Sequence, residues 1–131
     1  MTRRFSALAF ATLVALCGPV AAEPIKKAVA SGRVLKVFFA ASLNADCTSI
    51  GQVSIRLTGG PRHGVVTTRN ASDFPYFPPS NDRSRCNIRR VRGLVVSYRP
   101  DRGYVGADSF NVNYLFPTGN EIPTDYEIEV K

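Results

Sequence analysis

A chain of 131 residues is long enough to bury one hydrophobic core, and its mature part is expected to form a single domain without an internal boundary. Its 17 Lys and Arg outnumber 10 Asp and Glu, and the formal net charge of +7 favours anionic partners without selecting one. With one histidine and three cysteines, and no Cys-x-x-Cys spacing, the composition offers no metal-ligand set and no cofactor motif.

In chain order, Arg3 and Arg4 precede an apolar run, Ala7 to Leu16, that is too short to cross a bilayer, and Val20-Ala21-Ala22 supplies the small residues a signal peptidase cuts after. Residues 1–22 read as a secretion signal cleaved after Ala22, leaving a mature chain of 109 residues, net charge +5, with no membrane span. Cys17 follows Leu16, where a lipoprotein signal has a small residue, and Arg3-Arg4 lacks the rest of a twin-arginine motif. The expected location is therefore periplasmic or secreted. In that oxidising compartment the two remaining cysteines, Cys47 and Cys86, are expected to form a disulfide. Closing such a loop stabilises a small domain by about 4 kcal/mol.

Residues 23–32 carry Pro24, Lys26, Lys27 and small residues without periodicity, the pattern of a flexible N-terminal linker. From Arg33 the character changes. Val34 to Phe39 is a β-branched and aromatic run, and in Gln52 to Thr58 the residues Val53, Ile55 and Leu57 share one face. Gly59-Gly60-Pro61 and His63-Gly64 mark a corner leading into Val65 to Thr68. Residues 70–82 read as a long loop, and Cys86 to Val91 with Leu94 to Tyr98 read as a hairpin about Arg92-Gly93. Phe110, Val112 and Tyr114, then Tyr126, Ile128 and Val130, alternate with polar residues on either side of a turn at Phe116 to Asn120. Short strands with no helical period predict an all-β, immunoglobulin-like two-sheet sandwich over 33–131, with about seven strands and one disulfide. A small barrel is the rival architecture.

The succession Gly64-Val65-Val66, Tyr98-Arg99-Pro100, Gly103-Tyr104-Val105-Gly106-Ala107-Asp108-Ser109-Phe110 and the terminal Tyr126 to Val130 resembles the cadherin-like, immunoglobulin-like domains of bacterial exported proteins. The resemblance covers about Ile50 to Lys131 and implies a fold rather than an activity. It departs from the family in its disulfide, its arginine-rich middle and its single domain, which weakens the family's adhesive role. Pro100, Gly103 and Gly106 suit a tight corner, and Asp108 suits the acceptance of hydrogen bonds from loop amides. Relatives with true cadherin repeats bind calcium through several acidic residues; this chain has no such set, and no metal is expected.

Ten arginines lie between Arg56 and Arg102 against Asp73, Asp82 and Asp101, whereas Glu121, Asp125, Glu127 and Glu129 crowd the last segment. Planar guanidinium groups suit bidentate capture of phosphate or carboxylate. The competing account is solvated surface, or pairing of some arginines with the acidic final strand. The aromatics and prolines of the 70–82 loop could dock a partner or fold back over the end of the sandwich. The candidate binding residues are Phe74, Tyr76, Phe77, Arg83, Arg85, Arg89, Arg90 and Arg92. The expected function is a non-enzymatic binding or structural module of the cell envelope, contacting an anionic envelope polymer or another envelope protein. Nucleic acid is not an expected partner. A small secreted hydrolase or nuclease using His63, the only histidine, is the alternative, although no spacing singles out catalytic partners for it.

Overall fold

A computed structural model describes residues 13–19 and 22–131. The expected secretion leader, residues 1–22, lies for the greater part outside these residues, as do Val20 and Ala21 of its cleavage site. Among the described residues no helix is long and apolar enough to cross a membrane.

The protein is an all-β sandwich. Its strands are β1 (Ile25–Val29), β2 (Leu35–Ala40), β3 (Ser42–Leu43), β4 (Ser49–Gly51), β5 (Ser54–Gly59), β6 (Gly64–Asp73), β7 (Val91–Pro100), β8 (Gly106–Leu115) and β9 (Glu121–Val130). They form a four-stranded sheet in the order β1-β9-β8-β5, a three-stranded sheet in the order β2-β7-β6, and a ribbon of β3 and β4. The period-2 alternation of β8 and β9 sends Phe110, Val112, Tyr114, Tyr126, Ile128 and Val130 inward, against Leu94, Val96 and Tyr98 of the facing sheet. Aromatic rings bind the two layers. Tyr98 stacks on Phe110 at 5.9 Å between centroids, Phe110 stacks on Tyr126 at 5.0 Å, and the Tyr114 and Tyr126 hydroxyls share a 2.8 Å hydrogen bond. Burial, reinforced for Tyr114 by that bond, pushes both phenol groups upward from their ordinary value.

Several elements differ from the expected ones. The 23–32 segment is not a free linker, because β1 runs parallel along the edge of β9, pairing Ile25 with Tyr126 and Val29 with Val130. Val29 enters the core while Lys27, on the same side, stays half-buried at the sheet edge, so two adjacent lysines hid the strand's alternation. Arg92-Gly93 is not a turn either. β7 runs straight through it, and a Cβ on Gly93 would lie 2.5 Å from the Ala40 carbonyl oxygen and 2.6 Å from the Phe39 ring. That glycine serves close approach between strands rather than a reversal.

β2 forms within the expected β-branched run; its register slips between Lys36 and Phe38, and Val37, Phe39 and Ala40 are buried. Val53 is buried as expected, but Leu57, beside an irregularity in the edge strand β5, is exposed. β6 extends ten residues to Asp73, so the supposed 70–82 loop contracts to 74–81 and leads into a 3-10 helix, Asp82–Ile88. Asn81 caps that helix by accepting from the Arg83 amide at 2.9 Å.

Candidate binding surface

The 3-10 helix is rooted at two points. Cys86, fully buried, forms the expected disulfide with Cys47, whose backbone adopts a left-handed φ of 72° in the turn that follows β3. The Arg83 guanidinium donates through Nε to the Leu43 carbonyl and meets Asp82 at 3.3 Å. Asn87 then clamps the incoming loop: its Oδ1 accepts from the Phe77 amide at 2.8 Å and its Nδ2 donates to the Phe77 carbonyl at 2.9 Å. Further along, the Arg90 guanidinium lies 5.5 Å over the Phe74 ring and donates to the Ser72 carbonyl at 3.0 Å. Residues 74–77 and 87–90 therefore run side by side.

This arrangement sorts the expected site residues. Phe77 is half-buried and faces a recess shared with Leu43, Phe116 and Ile122 at the end of the sandwich. Pro75 is buried beneath the loop, while Phe74 is 49% exposed and Tyr76 80% exposed. Arg83 is structural. Arg85 donates through Nε to the Asp82 carbonyl, with the rest of its head in solvent. Arg89, Arg90 and Arg92 are exposed, and no arginine pairs with the acidic final strand: the ion pairs among the described residues are Lys36–Asp73 and Arg83–Asp82. Instead Asp125 accepts from Asn111 and Glu121 from Asn113. Asn87 and Ile88, the latter 84% exposed next to Arg89, lie outside the expected site residues. Both fall in the expected strand Cys86 to Val91, whose first three residues instead end the 3-10 helix.

His63 lies elsewhere, in an open depression of about 890 Å³ with Lys26, Arg62, Ser109, Glu127 and Glu129 along its lining. Its ring stacks flat on Tyr104 at 4.0 Å and makes no hydrogen bond among the described residues. Below it, Asp108 collects donors as expected: the Tyr98 hydroxyl at 2.7 Å and the amides of Arg62, His63 and Ser109 at 2.9–3.1 Å. Burial works to raise the Asp108 carboxyl, but these hydrogen bonds, that of Tyr98 foremost, outweigh it and hold the group below the usual carboxylate range. Asp108 is thereby a structural hub, with every oxygen engaged by the corner it organises.

No protein-family model, curated protein or solved structure matches this chain. The disulfide fits a secreted or periplasmic protein.

Proposed function

We propose that this protein is an exported, non-enzymatic binding module of the cell envelope that holds anionic ligands through the arginine surface around the 3-10 helix. The observation that carries this reading is the exposure of Arg89, Arg90 and Arg92, none of them in a salt bridge among the described residues, although the chain has four carboxylates in its last segment. Those carboxylates stay on the exposed side of β9, and the carboxylate whose charge reaches Arg90, Asp73, is itself held by Lys36. The segment is also held in place by the disulfide, the Asn81 cap and the Asn87 clamp, which lowers the ordering cost of binding. Secretion by a leader ending at Ala22 and a cadherin-like ancestry belong to the same reading, on the residue patterns that suggested them.

The non-enzymatic part rests on His63, whose ring is stacked on Tyr104 and, among the described residues, is not hydrogen-bonded to a nucleophile or an orienting carboxylate. Titration of a phosphorylated envelope polysaccharide at low salt tests the function. The expected result is saturable binding that weakens steeply as salt rises and is unchanged in His63→Ala. Binding that ignores salt, or turnover of the polymer lost in His63→Ala, contradicts it.

A further inference from the structure

The arginine surface carries large apolar side chains in its midst. The Asn87–Phe77 clamp ties the segment that carries Tyr76 to the helix end that carries Ile88, and the Arg90–Phe74 stack ties Phe74 to the same stretch of chain. Phe74 is 49%, Tyr76 80% and Ile88 84% exposed. Each projects from a segment fixed by the disulfide and the helix cap, so their exposure is a property of the fold rather than of a loose loop. A soluble polyanion would use the guanidinium groups and leave Ile88 idle, and a sugar ring would stack on Phe74 or Tyr76 but gains nothing from an aliphatic tip. An anionic lipid surface uses all of them: phosphates take the guanidinium groups, aromatic rings settle at headgroup level, and Ile88 enters the acyl boundary.

We infer that Phe74, Tyr76 and Ile88, together with the exposed Arg85, Arg89 and Arg90 of the same two segments, form a docking surface for an anionic phospholipid leaflet. This rests on the proposed anion-binding function and names its ligand as a membrane surface. Charge complementarity selects the lipid: the patch is cationic, and the acidic side of β9 belongs to the other sheet, so the molecule can approach an anionic leaflet with its arginines forward.

Co-sedimentation of the full chain with vesicles of phosphatidylglycerol and phosphatidylcholine in equal parts, against phosphatidylcholine alone, tests this. Binding is expected on the mixed vesicles only, and to fall with salt. Ile88→Ser, at a site too exposed to affect folding, should lower the partition coefficient about ten-fold. Arg89→Gln should lower it about five-fold. Partition of Ile88→Ser equal to the parent would overturn the docking surface, because charge alone would then account for binding. Dextran sulfate as a soluble probe separates the two claims. Salt-dependent binding of dextran sulfate without vesicle binding removes the lipid inference and keeps the anion-binding function, whereas binding to neither probe removes both.

Discussion

Asp108 shows how far one side chain can organise a corner. Four donors converge on it from three places in the chain, the Arg62-His63 turn, Tyr98 of β7 and its own neighbour Ser109. Its carboxyl is held below its ordinary value, so it contributes stability that is present above the unfolded carboxyl value of about 3.9 and is lost as pH falls through the lower folded value. Urea midpoints measured across this range should therefore drop below about pH 4. Asp108→Asn, which puts an amide donor against these donors, should cost about 2 kcal/mol at neutral pH and flatten the acid limb. An unchanged midpoint and an unchanged pH profile in that variant would remove the hub. The role of Asp108 was legible because a carboxylate after a Pro-Gly corner has loop amides within reach. Ile88 was not, because an aliphatic residue between polar neighbours reads the same in a half-buried strand as on an exposed helix end.

Among the elements, β8 and the second half of β9 were readable from alternation alone, since Asp108 to Tyr114 and Tyr126 to Val130 each keep one wet and one dry face. β2 was readable as a β-branched and aromatic run, whereas β1 and β7 were obscured by two different physical causes. The lysines of β1 mask its single deeply buried residue, Val29, and Gly93 imitates a turn although it lets β7 pass Phe39 closely. The 3-10 helix could not be read at all, because seven residues held by a disulfide, an Asn cap and Arg83 on a distant carbonyl take their shape from tertiary contacts rather than from propensity. That dependence is open to measurement. Reducing Cys47–Cys86, or replacing both with Ser, should lower stability by about 4 kcal/mol and make the 74–88 segment the first site of proteolysis. A midpoint that does not move on reduction, with no new cleavage in that segment, would show that the disulfide does not anchor it.

At the scale of the molecule, the acidic last segment and the arginines about the 3-10 helix are set apart. Glu121, Asp125, Glu127 and Glu129 lie exposed along β9 of the four-stranded sheet, whereas Arg89, Arg90 and Arg92 gather at the start of β7 in the three-stranded one. Composition made the asymmetry visible along the chain, but whether it would cancel in space depended on strand order. Because β9 lies between β1 and β8, and β7 between β2 and β6, the two groups belong to separate layers and do not pair. The central claim is that these arginines bind an anion, and the most direct measurement is the affinity of a phosphorylated envelope polysaccharide for the triple variant Arg89→Gln, Arg90→Gln, Arg92→Gln, with Arg62→Gln at the distant corner as control. The account predicts a loss of at least about ten-fold in the triple variant, a shallower salt dependence, and little change in the control. Equal affinity in the triple variant and the parent, at low salt and with both folded, would contradict it.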